Sequence, residues 1–438
     1  MDGAARRPHP PTVASRRWSS QYGGPLWEIE NLVEMFITVA TKTVIRHPFG
    51  ADIAILMTPK SFMLIAGEAS GDWLAGELVA ALKQAPGGAA ARFLGAGGPR
   101  MRAAGVEVAV DMMSHAVIGL DMLKKYFEGK RLFQQLLALA IEHRPDAVIG
   151  VDYGFFNLRF GRAVKAWVRR HPAAGWNPKI IQFVSPQVWA SRPGRAKQLE
   201  ADYDLLLSIF PFEKAWYSQR APRLRVAFVG HPMLDREPPP ADHARPAKAA
   251  PRVVLLPGSR QGELQRHLPV MLAAWRRIEA KLPDARARLV LPTQELAQLA
   301  GAMTLPATVA LQIGGLPAAL AEADAAISKT GTVTLECAYF GVPTVTLYKT
   351  SWLTYELGRR IVTVKTLTMP NLLAGEEIMP EFIQHNAIGW NLAHATLKLL
   401  RDVKGRAQIQ KRLAQVVSTL GQPGAARRAA EAILQLYP

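Results

Sequence analysis

Twice along its length the chain runs one pattern: short apolar strands, each followed by a loop and an amphipathic helix. The first run places strands at Phe62–Ala66, Arg92–Leu94, Ala147–Val151, Lys179–Val184, Asp204–Ser208 and Arg225–Val229. The second places them at Val253–Leu256, Arg288–Leu291, Ala325–Ser328 and Thr344–Leu347. Parallel strands need a long crossover, and a helix supplies it, so this alternation predicts parallel sheets covered on both faces. Residues 236–251, with Pro238, Pro239, Pro240 and Pro246 among charged side chains, read as a linker. The expected fold class is α/β: two Rossmann-like domains, 58–235 and 252–385, facing a cleft, with helices over 386–438 packing back on the first domain or on a partner subunit. In open α/β sheets ligands bind at the carboxyl ends of the strands, so those ends are where chemistry is expected.

Residues 1–57 fall outside the pattern. Their Pro, Arg and paired Gly23–Gly24 show no period, and they are expected to be a disordered extension, with Met57 standing just before the first strand. They do not account for the charge. The chain carries 53 basic and 35 acidic residues, a net +18, and +16 of it lies beyond residue 60. Such an excess points to an anionic partner: nucleic acid, a phosphorylated substrate or an acidic membrane surface. The lone Cys337 rules out an internal disulfide framework. No apolar run is long enough to span a bilayer.

Four strand ends carry candidate chemistry. Ala66–Asp72 (AGEASGD) lets a ligand approach the backbone at a helix start, with Glu68, Ser70 and Asp72 as candidate contacts, although glycine turns and an Asp helix cap would look the same. Asp152 directly follows a buried strand and faces the cleft as a candidate base, against the plainer reading of a turn residue. Gly258, Ser259 and Arg260 form a turn where an arginine suits a phosphate. Thr330, Gly331 and Thr332 open a helix where a diphosphate would sit, and Glu336 lies one turn further on, within reach of ribose hydroxyls. Gly95-Ala96-Gly97-Gly98 lacks the third glycine of a dinucleotide loop, Arg100 standing in its place. No metal-ligand spacing and no nucleophile elbow appears, and His231 reads as a packing residue.

Taken in order, LIAGEASGD (64–72), GGPRM (97–101), PDAVIGVD with Asn157 (145–157), VSPQVW (184–189), PFEK (211–214), Gly230–Pro232, LPGSR (256–260), TGTVTLEC (330–337) and PNLLAG (370–375) resemble the family of lipid-A-disaccharide synthases. The resemblance covers residues 61–386. It implies an inverting glycosyltransferase of GT-B architecture that needs no metal and no cofactor. It implies transfer of 2,3-diacylglucosamine from UDP-2,3-diacylglucosamine to the 6-hydroxyl of 2,3-diacylglucosamine 1-phosphate. In that reading Asp152 is the general base, Glu68, Ser70 and Asp72 serve the acceptor, and the second-domain loops hold UDP together with Asn371. Phe155 stands where the family pattern D-x-x-D-F-N has its second aspartate, and Lys329 adds charge beside the phosphate loop.

Acylated substrates imply contact with an anionic membrane surface, from a cytoplasmic protein on the inner face of the inner membrane. The apolar face of 114–143, with Leu120, Leu123, Tyr126 and Phe127 flanked by Lys124 and Lys125, is the candidate surface. A homodimer is a further implication. The rivals are another UDP-sugar enzyme of the same architecture, a weakened homologue, or a nucleic-acid-binding protein. The last lacks the interleaved aromatics or the helix-turn-helix it would need.

Overall fold

The computed structural model describes residues 59–112, 122–236 and 250–437, with backbone alone at 122–127 and 353. The expected extension, most of the linker and Leu120 lie outside these residues, as do the side chains of Leu123, Lys124, Lys125, Tyr126 and Phe127. One sheet comprises β1 (Ser61–Ala66), β2 (Arg92–Gly97), β3 (Glu107–Asp111), β4 (Ala147–Val151), β5 (Lys179–Phe183), β6 (Leu205–Ser208) and β7 (Val226–Phe228), in the order β3-β2-β1-β4-β5-β6-β7. The other comprises β8 (Arg252–Leu256), β9 (Arg286–Leu291), β10 (Val309–Ile313), β11 (Ala325–Lys329), β12 (Thr344–Tyr348) and β13 (Glu381–Ile383), in the order β10-β9-β8-β11-β12-β13. Every pairing is parallel. Both are Rossmann-like sheets, and in each the strand order reverses once, at β1/β4 and at β8/β11.

Side-chain alternation explains why the central strands are apolar throughout. Phe62, Leu64 and Ala66 of β1 enter one core and Met63 and Ile65 the other. Val253 and Leu255 of β8 face one way, Val254 and Leu256 the opposite way. Each such side chain, fully buried, contributes roughly 1.5–3 kcal/mol.

The strand pattern expected from sequence omitted β3, β10 and β13. All three are edge strands with mixed exposure, so no continuous apolar run marks them. The second strand is also longer than expected and runs through Gly95 to Gly97. Gly95 has φ +149°, and a Cβ there would stand 1.9 Å from the Leu64 carbonyl oxygen.

The chain ends on the first sheet. Helix Gly389–Arg401 packs on helix Gln261–Glu279 and helix Val403–Ser418 joins the second core, but helix Ala425–Leu434 sets Ala429, Ala430 and Ile433 into the first core beside Phe62 and Leu78.

Candidate active site

Both strand-order reversals open onto loops that the sequence had singled out. At the first, Gly67–Ser70 follows β1 and Asp152–Tyr153 follows β4. The Ser70 hydroxyl points at Asp152 Oδ2 from 3.3 Å, long for such a bond, and among the described residues no other group donates to this carboxylate.

The backbone beneath Asp152 is strained and pinned. Asp152 and Tyr153 have φ of +52° and +41°, a left-handed conformation that Asp tolerates and Tyr does not favour. Gln182 Nε2 and Asn157 Nδ2 both donate to the Asp152 carbonyl, at 2.8 and 2.9 Å, while its amide donates to Phe183 at 2.8 Å. The Tyr153 ring lies over Gly67 so closely that a Cβ there would be 2.4 Å away. Sequence reasoning missed Gln182 and Tyr153. Gln182 interrupts the buried apolar run Ile180–Phe183 of β5, and that interruption was the available signal.

Asp72 has a different task from ligand contact. It is buried, and its carboxylate accepts from the amides of Gly98, Arg100 and Met101 at 2.7, 2.9 and 3.1 Å. It therefore fixes the loop after β2 and caps helix Pro99–Ala103.

At the second reversal a cavity of about 360 Å³ is lined by Gly258, Ser259, Lys329, Thr332 and Glu336, with Val290, Leu291 and Leu316 as an apolar wall. Glu263, from the first turn of helix Gln261–Glu279, joins the two loops. It accepts from the Ser259 amide at 3.1 Å and from Lys329 Nζ at 3.2 Å, so the positive charge of Lys329 is offset within the loop. Gly258 has φ +126°, and a Cβ would be 2.3 Å from Glu263 Oε2. Below them buried His267 accepts from the Lys349 amide at 3.1 Å, so its Nδ1 carries the proton toward the Pro257 carbonyl, 2.8 Å away. Burial holds its pKa below the usual imidazole value. Thr330 and Gly331 belong to the same loop but do not line the cavity.

Asn371 is committed elsewhere. It is buried, donates to the Met379 carbonyl and Glu381, and accepts from the amides of Ile378 and Met379, each at 2.8–2.9 Å. Its polar atoms are occupied in bracing helix Met369–Ala374 against the strand that follows.

The two loop sets meet. Glu68 lies 3.8 Å from Arg260, and Glu336 lies 3.3 Å from Arg236, whose guanidinium sits over the Trp73 ring. Thr363 donates through its amide to Ala190 and through its hydroxyl to Trp189, at 2.9 and 3.0 Å. The loop after β1 thus reaches Arg260 through Glu68, and the 360 Å³ cavity lies within the second loop set. A larger cavity of about 760 Å³ around Glu376 and Arg412 includes none of these residues.

Comparison with known proteins identifies the family. The chain is 38% identical to a lipid-A-disaccharide synthase of Trichlorobacter lovleyi over 86% of its length and 98% of the relative's. It is 36% identical to that of Geobacter sulfurreducens, over 86% and 98%. The solved structure of a calicheamicin glycosyltransferase shares the two-domain GT-B fold, with a TM-score of 0.55 at 15% identity over 87% of this chain and 100% of that one. A family model described as lipid-A-disaccharide synthetase matches residues 62–436. The chain thus belongs to the lipid-A-disaccharide synthetases, the glycosyltransferases that form the lipid A disaccharide.

Proposed function

We propose that the chain transfers 2,3-diacylglucosamine from UDP-2,3-diacylglucosamine to the 6-hydroxyl of 2,3-diacylglucosamine 1-phosphate. The observation that carries this reading is the meeting of the two strand-end loop sets across the cleft, with Asp152 on one side and Arg260 with the 360 Å³ cavity on the other.

Asp152 takes the proton of the attacking hydroxyl as its oxygen bonds to the donor's anomeric carbon. The bond from that carbon to the diphosphate breaks, UDP leaves, and the single displacement inverts the configuration. Arg260, with the Gly258–Ser259 and Thr330–Thr332 loops, meets the charge that develops on the diphosphate, a term set in place before reaction. Glu336 at the cavity wall serves the ribose. Glu68 and Ser70 orient the acceptor, and Asp72 and Asn371 act by bracing the loops rather than by touching substrate.

Both lipids are delivered from a membrane surface. Among the described residues no helix is long and apolar enough to cross a membrane, which fits reversible docking through the helix that begins at Met122 and through basic side chains, each worth about 1 kcal/mol near an anionic leaflet.

The test is disaccharide 1-phosphate formation from purified donor and acceptor, by wild type and Asp152→Ala. The variant is expected to lose at least ~100-fold in rate. Near-wild-type activity in the variant would overturn the assignment of the base. Absence of product from wild type would overturn the reaction.

A further inference from the structure

We propose that the cavity beside Asp152 is a phosphomonoester pocket in which Arg192 and Arg195 hold the 1-phosphate of the acceptor. This rests on the acceptor identity proposed above and names the part of the site that recognises it.

The cavity holds about 340 Å³ and is lined by Asp152, Phe155, Ser185, Gln187, Arg192 and Arg195. Among the described residues its one carboxylate, Asp152, forms no ion pair with its arginines. Three other cations of the two loop sets each have an acid: Arg260 has Glu68, Arg236 has Glu336 and Lys329 has Glu263. Among the described residues no carboxylate pairs with Arg192, Arg195 or Arg159. Partial burial and then the charges of Arg192 and Arg159 hold the Arg195 guanidinium below its usual pKa, and Arg192 and Arg195 line the same cavity. Clustered guanidinium groups with no ion-pair partner among the described residues match an oxyanion with several acceptor atoms.

Phe155 sharpens the point. A carboxylate at this position would be a ready partner for the nearby arginines. Here the position holds a ring, exposed over 58% of its surface, with the Arg159 guanidinium 4.4 Å from its centre. Arg159 is thereby positioned without being neutralised.

Ligand shape fits as well. In a hexopyranose 1-phosphate C1 and C5 both flank the ring oxygen, so the phosphate and the 6-hydroxyl lie within the width of one sugar. A cavity with Asp152 and the pair Arg192 and Arg195 in its wall can receive both groups of such a sugar. The wall between them is stiff: Ser185 bonds Tyr217 Oη at 3.2 Å, Trp189 Nε1 bonds Glu213 at 2.9 Å, and Val184 is held at φ +70°.

The experiment is direct binding, by the full chain in detergent micelles, of 2,3-diacylglucosamine 1-phosphate and of the same lipid without its phosphate. Wild type is expected to prefer the phosphorylated lipid by about tenfold or more. Arg192→Ala and Arg195→Ala should each lose about tenfold in affinity for it, keep their affinity for the unphosphorylated lipid, and keep the KM for the UDP donor. Arg195→Lys should restore part of the loss. Arg192 is exposed, so its variant tests the pocket without endangering the fold. Equal binding of the two lipids by wild type, or equal loss of both in the variants, would overturn the proposal. So would variants that keep acceptor affinity but fail to bind phosphatidylglycerol vesicles, which would assign the arginines to a membrane headgroup. Because binding is read without turnover, a wild type that prefers the phosphorylated lipid yet forms no disaccharide defeats the proposed reaction and leaves the pocket standing.

Discussion

At Gly67 the difference between a hydrogen and a methyl group decides where the Tyr153 ring can lie, and through it the backbone that carries Asp152. A Cβ at Gly67 would stand 2.4 Å from that ring. Gly67→Ala therefore has to displace an aromatic side chain already held on a left-handed backbone. Overpacking of this kind destabilises by roughly 1–3 kcal/mol, and the displaced ring moves the Asp152 carboxylate with it. Gly67→Ala should lower both the unfolding midpoint and turnover, and Tyr153→Ala in the same chain should recover part of the stability, a coupling measurable in a double-mutant cycle. Strict additivity of the two changes would refute the clash. The residues proposed to serve the reaction stood out in the sequence because they follow strand ends, as Asp152 and Ser259 do. The residues that hold them were not, because Gln182 and His267 act from within a strand and a helix, and only the tertiary structure brings them under the loops. For the same reason Asp72 and Asn371 read as ligand contacts in sequence, although their polar atoms are taken up by backbone partners in the fold.

Two short elements end in caps that titrate in opposite senses. Helix Pro211–Arg220 is capped by Glu213, which accepts from the Phe210 amide at 3.3 Å and from Trp189 Nε1; burial, offset in part by those bonds, pushes its carboxyl up to about 7. The short helix Pro232–Asp235 is capped by His231, which accepts from the Met233 amide at 3.2 Å; burial, aided by the Arg236 charge, pushes its imidazole down to about 4. Glu213 contributes stability that is fully present below its unfolded pKa, about 4.3, and is lost as pH rises through about 7. His231 contributes stability that is present above its unfolded pKa, about 6.5, and is lost as pH falls toward about 4. Each tenfold difference in proton affinity is worth about 1.4 kcal/mol, so both effects are of a few kcal/mol and oppose each other between those limits. Denaturant unfolding from pH 4.5 to 7 should show stability rising with pH more steeply than wild type in Glu213→Gln and less steeply in His231→Asn. Parallel profiles for the two variants would show that neither cap titrates in this range. At this scale the buried elements were legible from their apolar runs. The edge strands β3, β10 and β13 were not, since exposure on one side dilutes the only signal a short strand has.

The path of the chain makes the first domain depend on residues 421–437. After leaving the second core at helix Val403–Ser418, the chain returns to the first. Asp235 caps the returning helix by accepting from the amides of Gly424 and Ala425, and Arg428 Nε donates to the Val229 carbonyl at 2.8 Å. Tyr437 donates to the Asp146 carbonyl at 3.0 Å and packs edge-on against Phe62, with Lys60 over its ring. The division into two runs of strands was visible in the sequence, and a return of the helices over 386–438 to the first domain was one of two expectations, but which helix returns was not legible. An alanine-rich helix shows that it is amphipathic without showing which core receives it. Removing residues 421–438 uncovers Phe62, Leu78 and Leu82 on the first domain and forfeits burial on the order of 5 kcal/mol, a large share of what a single domain possesses. The second core, built on Trp275 and the helix that carries it, loses little. Hydrogen exchange on the truncated chain should show lost protection in β1 and helix Ala69–Gln84, with protection kept in β8, β9 and helix Gln261–Glu279. Asp235→Ala, which removes only the cap, should shift the same amides in the same direction by about 0.5–2 kcal/mol. Uniform loss across both sheets would mean instead that the two domains unfold as one cooperative unit and that the returning helix stabilises the molecule as a whole.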